Sequence, residues 1–112
     1  MPRIFVFGSN LAGRHGKGAA LFARQYRGAI YGQAIGLQGN SYGIPTKGRY
    51  FDILPLYVIE KYVANFIVFA EARQNWEFEV TRIGCGLAGY EDWQIAPMFE
   101  WAPDNCFLPN GW

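Results

Sequence analysis

Three glycines within Gly84-Cys85-Gly86-Leu87-Ala88-Gly89 leave a turn with almost no side-chain bulk, directly after a segment that alternates like a β-strand. Backbone N–H groups in such a turn can close around an anion at the C-terminal edge of a sheet, and phosphate suits that geometry. A second run, Gly8-Ser9-Asn10-Leu11-Ala12-Gly13-Arg14-His15-Gly16-Lys17-Gly18, follows the apolar segment Arg3-Ile4-Phe5-Val6-Phe7 and leads into a helix from Ala19. Glycines also serve turns that need positive φ, so one such loop is weak on its own. Two strand, loop and helix units at one sheet edge are how α/β folds hold nucleotides.

The remaining reactive side chains on these loops carry less. His15, between Arg14 and Lys17, could contact phosphate or relay a proton, although a lone histidine in a polar loop is more often simply exposed. Cys85 has no identifiable base beside it, which fits packing better than nucleophilic work. Cys85 and Cys106 lack the spacing of a zinc site, so neither a metal nor a disulfide framework is expected. No cofactor is implied.

The elements that must position these loops can be read from periodicity. Leu21, Phe22 and Tyr26 recur at helical spacing over residues 19–27, with Gly28 just past the end. Residues 32–42 read as strand, turn and strand, or as a single strand, around Gln38-Gly39-Asn40. From Pro55, the residues Val58, Ile59, Tyr62, Val63, Phe66, Ile67 and Ala70 describe more than four turns of amphipathic helix. Trp76, Phe78 and Val80 alternate with Glu77, Glu79 and Thr81 as a strand leading into the later glycine loop. A short helix around Trp93–Trp101 and a brief edge strand in 102–112 complete a two- or three-layer α/β domain.

The chain has 112 residues, 51% of them apolar, which suits one core and one domain over 1–112. Ten basic and nine acidic side chains give a net charge of +1, so bulk nucleic-acid binding is not expected, while a local site stays open. The longest apolar stretches carry Glu60, Lys61 and Glu71, and no signal segment leads the chain, so a soluble, cytoplasmic protein is expected. Aromatic residues make up 18% of the chain, enough to pack a core with large rings and to line a base-binding cleft with a few.

In Asn10–Ala20, Ile44-Pro45-Thr46-Lys47 and Arg82–Tyr90 the chain resembles the macrodomains that bind and hydrolyse ADP-ribose adducts. The branches it is most similar to hold the terminal ADP-ribose glycohydrolase of animals and the antitoxin of the DarT–DarG system. The order and spacing of the three segments agree across nearly the whole chain, with Ile-Gly-Cys-Gly-Leu the most specific of the motifs. The resemblance implies a small macrodomain-like mixed sheet flanked by helices. It places Ser9, Asn10, Gly13 and His15 on the ligand loop, with Asn10 near the distal ribose. Gly16, Lys17, Gly18 and Ala19 would pack on that ribose and the phosphates. Gly84, Cys85, Gly86, Leu87, Ala88, Gly89 and Tyr90 would wrap the diphosphate. Lys47, after Thr46, would face the anomeric carbon, where a free amine can attack and displace the linked group. Read by spacing alone, Thr46-Lys47-Gly48-Arg49 is also an ordinary polar turn.

Two departures bear on this resemblance. Ala88 stands where the animal enzymes carry an aspartate, leaving no general acid or base at the usual place, whereas the antitoxin branch also has a small residue there. Glu91 or Asp92 could act nearby in its stead, although both also stand where a helix dipole favours solvated carboxylates. The acidic residue with which many macrodomains hold adenine has no counterpart, so Tyr90, Trp93 or an aromatic of the tail would have to stack on the base.

Three functions follow as expectations: removal of ADP-ribose from a modified macromolecule, with Lys47 and Asn10 as catalytic residues; binding of ADP-ribose or another NAD-derived nucleotide without turnover; and a scaffold whose apolar tail, Phe107, Leu108 and Trp112, docks on a partner or a second copy as a homodimer.

Overall fold

The eight-residue strand β1, Arg3–Asn10, is apolar on both faces and divides the core in two. Ile4 and Val6 point to one side of it, and Phe5 and Phe7 to the other. A strand buried on both faces needs helices on both, as parallel sheets do. In the computed structural model, which describes residues 2–112, this is how the α/β domain is built.

Helix α1, Gly18–Tyr26, lays Ala20 and Ala23 on Phe5 and Phe7. Small residues at the contact let the helix come close to the rings. On the opposite face, α2, Leu56–Glu71, buries Ile59, Val63, Phe66 and Ala70, spaced so that they form one stripe. Phe66 is the centre of that side, with its ring 5.1 Å from Tyr42, 5.4 Å from Phe78 and 6.4 Å from Phe99.

Five strands form one mixed sheet in the order β2-β3-β1-β4-β5. Strand β2 is Gly36–Gln38, β3 is Ser41–Lys47, β4 is Glu77–Val80 and β5 is Cys106–Phe107. Strand β1 runs parallel to both β3 and β4, β5 runs parallel to β4, and only β2 is antiparallel. The register of β1 on β3 slips by one residue near its end, from Ser9 opposite Pro45 to Asn10 opposite Lys47. Thr46 is the extra residue of this bulge.

The long helix begins at Leu56 with Pro55 as its cap, and β4 falls within the alternating segment, whereas β1 runs on through Gly8–Asn10 of the expected loop and β3 extends past Tyr42 to Lys47. The last helix differs from its expected extent. Helix α3 covers only Asp92–Ile95 and tightens into a 3-10 turn over Ala96–Phe99. Pro97 lacks the N–H that a continuing α-helix would use. The apolar tail also differs from a free docking element. Trp112 lies 5.4 Å from the Phe99 ring, and Leu108 packs on the same core, so two of the three residues expected to reach a partner fold back inward. Phe107 stays half exposed, with the Arg3 guanidinium 5.2 Å from its ring. Among the described residues no helix is long and apolar enough to cross a membrane.

Because Phe66 joins α2 to two strands and the 3-10 turn, Phe66→Ala is expected to lower the unfolding free energy by about 3–5 kcal/mol. Chemical denaturation of the two proteins checks this.

Candidate functional site

The ladder between β1 and β4 ends early. Its last pair is Val6 with Val80, and the Val6 carbonyl then accepts both the Thr81 N–H at 3.2 Å and the Thr81 hydroxyl at 2.8 Å. Beyond that point β1 continues on β3 alone, while residues 81–90 turn away. The chain leaves β1 through α1 on one face and leaves β4 through α3 on the other. Adjacent parallel strands whose connections depart to opposite faces leave a crevice at their carboxyl ends, the usual ligand position in such sheets.

A cleft of about 530 Å³ occupies that crevice. Its walls are Gly8 and Ser9 from β1, Lys17–Ala20 at the start of α1, Thr46 and Lys47 from the end of β3, and Thr81–Ala88. Among the described residues Lys17, Lys47 and Arg82 are its charged ones, and no carboxylate lines it. Among the described residues neither lysine is in an ion pair.

Backbone donors add to this positive lining. The first amides of α1 have no partner within the helix, its cap Lys17 makes no side-chain bond to them, and no acidic residue sits in its first turn. The glycine loop uses the amides of Ile83, Cys85, Gly89 and Tyr90 for its own turns. Those of Gly84, Gly86, Leu87 and Ala88 donate to no backbone carbonyl among the described residues. Gly84 has φ +76°, and a Cβ there would come within 3.2 Å of Ile95, so glycine suits this bend twice over.

The cleft brings together Ser9, Lys17, Gly18, Ala19, Thr46, Lys47 and Gly84 to Ala88. The hydroxyls of Ser9 and Thr46 are turned to structural use. Ser9 donates to the Ala34 carbonyl at 2.6 Å, and Thr46 donates to the Ser9 carbonyl at 3.4 Å. Lys47 is half-buried, with its carbonyl accepting from Leu11 N–H at 2.9 Å, so its backbone is held while its side chain faces the cleft.

Asn10, Gly13, His15, Gly16, Gly89 and Tyr90 lie outside the lining. Asn10 clasps its own loop: its Nδ2 donates to the Arg14 carbonyl at 2.8 Å, and its Oδ1 accepts from the Arg14 amide at 3.0 Å. Gly13, at φ +72°, meets the backbone of Gly32 so closely that a Cβ would stand 2.4 Å from a carbonyl carbon. Gly16 and Gly89 are exposed. Tyr90 donates to the Leu54 carbonyl at 2.7 Å, bracing the glycine loop against the segment after Lys47. Gly8, Ala20, Arg82 and Ile83 line the cleft from within the segments read as ligand loops although none was singled out to touch the ligand, and Thr81 lines it from just outside them.

His15 is fully buried, against the expectation that a histidine in this loop is exposed. Its ring lies 5.4 Å from Phe7 and 6.4 Å from Tyr31, and among the described residues neither nitrogen has a hydrogen-bond partner. Burial, followed by the nearby Arg24 charge, pulls its pKa below the ordinary value; a backbone group of Gln33 opposes this without meeting hydrogen-bond geometry. Cys85 borders the cleft as a thiol, since burial first, then Asp92, pushes its pKa up to about 11.

Two outcomes follow. A histidine whose folded pKa lies below its unfolded value leaves stability intact above about pH 6.5, and the unfolded state gains protons first as pH falls. Wild type is therefore expected to lose stability below pH 6.5, by at most about 1.4 kcal/mol per pH unit from this group, and His15→Phe to lose less. Denaturation curves at pH 7.5 and 5.5 measure the difference. Cys85 is expected to resist alkylation at pH 8 in the folded protein, followed by mass spectrometry.

No family model matches this chain, and no curated protein does. Two solved structures of Bacteroides thetaiotaomicron proteins share the fold, one a structural-genomics target and the other described as a protein of unknown function. Each aligns with a TM-score of 0.60, at 15% and 17% identity, over 87% and 88% of this chain and 78% of the other.

Proposed function

We propose that the cleft binds the diphosphate of ADP-ribose or a closely related NAD-derived nucleotide, and that Lys47 acts at the anomeric carbon to release the attached group. The observation that carries this reading is the lining: three cations, no carboxylate, and two sets of unengaged backbone amides around about 530 Å³. That volume lies within the ~300–1,000 Å³ usual for small-molecule sites. A helix start and a glycine loop facing one crevice suit two linked phosphates better than one. The macrodomain resemblance of residues 10–20, 44–47 and 82–90 supplies the rest of the ligand.

In the reaction, the nitrogen lone pair of Lys47 forms a bond to the anomeric carbon as the bond to the leaving heteroatom breaks, and that atom takes up a proton. Water then attacks the same carbon, and the lysine amine is released. Ser9, Thr46 and Asn10 have their polar atoms engaged in holding the loops, so they act by positioning. A second reading, binding without turnover, is favoured by the absence of any carboxylate or histidine from the lining, since the first step leaves the leaving group to collect its proton from water.

Calorimetric titration of ADP-ribose tests both readings. Saturable binding is expected for wild type, and binding within a few fold of it for Lys47→Ala. Release of ADP-ribose from modified protein or DNA by wild type, lost in Lys47→Ala by several orders of magnitude, supports the catalytic reading. Binding without release supports the second, and no binding to either protein sinks both.

A further inference from the structure

Arg82 differs from the other two cations of the cleft in already having partners. Its Nη1 lies 2.7 Å from Asp92 Oδ2, and its Nη2 donates to the Asn110 carbonyl at 2.7 Å. Both contacts are superficial, the Arg82 and Asp92 side chains keeping 43% and 55% of their accessibility. Exposed pairs of this kind add little to stability and exchange readily. A guanidinium on phosphate, by contrast, makes two parallel charge-assisted bonds.

The surroundings let the side chain move while the backbone stays. The Arg82 carbonyl accepts from the Cys85 amide at 3.1 Å, which fixes the start of the glycine loop. Helix α3 does not depend on the pair for its cap, because Glu91 and Gln94 exchange side-chain and backbone bonds there. Asp92 keeps a favourable place in the first turn of α3 without Arg82.

We propose that Arg82 is an exchangeable anion ligand, resting on Asp92 and the Asn110 carbonyl as seen here and drawn onto a phosphate of the ligand on binding, so that Asp92 sets affinity by competing for it. This rests on the reading of the cleft as a diphosphate site. It makes Asp92 an affinity-setting residue that never touches the ligand.

The experiment is a double-mutant cycle, titrating inorganic pyrophosphate and ADP-ribose into wild type, Asp92→Asn, Arg82→Gln and the double variant. Asp92→Asn is expected to tighten binding about two- to fivefold, the worth of an exposed pair. Arg82→Gln is expected to weaken it about tenfold, as loss of a charged hydrogen-bond donor does. In the Arg82→Gln background, Asp92→Asn should change nothing. Weaker or unchanged binding by Asp92→Asn would show a brace and overturn the proposal. So would tightening that persists without Arg82, because it would mark a general charge effect. Should Arg82→Gln not fold, Arg82→Met removes the charge while keeping the length of the stem, and in that background too Asp92→Asn is expected to change nothing. Wild type that binds neither ligand overturns this inference together with the functional reading; wild type that binds, with additive variants, overturns this inference alone.

Discussion

The cleft exists because β1 is hydrogen-bonded for unequal lengths on its two sides. Toward β3 the ladder runs from Phe5 to Asn10, whereas toward β4 it stops at Val6. The Val6 carbonyl marks the parting, taking two donors from Thr81 and so closing the ladder with a side chain. Everything that follows on the β4 side is then free to bend outward as a glycine loop. On the β3 side the same strand stays paired as far as Asn10, and its partner β3 carries Lys47 to the opposite wall. One strand with one short ladder thus places a cation and a set of amides across a gap.

The elements that bury a stripe or an alternating face were legible in the chain. Helix α2 shows its buried residues Ile59, Val63, Phe66 and Ala70 at the expected intervals, and β1 and β4 lie where apolar residues run or alternate. The cleft lining was legible where glycine loops meet strand ends, because backbone donors leave a compositional trace. Side chains that work on their own loop leave none. Nothing in residue type distinguishes an asparagine that binds a ligand from one that clasps Arg14, or a tyrosine that stacks on a base from one that bonds to the Leu54 carbonyl. These depend on partners far along the chain.

His15 shows the limit most clearly. Its neighbours in sequence are Arg14, Gly16 and Lys17, all exposed, yet the loop curls so that the imidazole enters the space between Phe7 and Tyr31. Two features bring this about, the Asn10 clasp on Arg14 and the contact of Gly13 with Gly32. The first is a local bond and the second joins segments nineteen residues apart, so the imidazole's burial is a tertiary property. An unpartnered buried imidazole costs desolvation, and here it is offset by edge-to-face contact with the two rings.

The bulge at Thr46 carries a consequence for comparing this chain with others. Side chains alternate along a strand with a period of two, so one inserted residue reverses the face of everything after it. Lys47 stands opposite Asn10 only because Thr46 has been looped out of the ladder. A protein of the same architecture without that insertion would present the equivalent amine from the residue aligned with Thr46. Counting along the chain would then pair the wrong residues, and two strands with displaced lysines would be equivalent in space. Kinship at this position is therefore to be judged by ladder partner and not by place in the sequence.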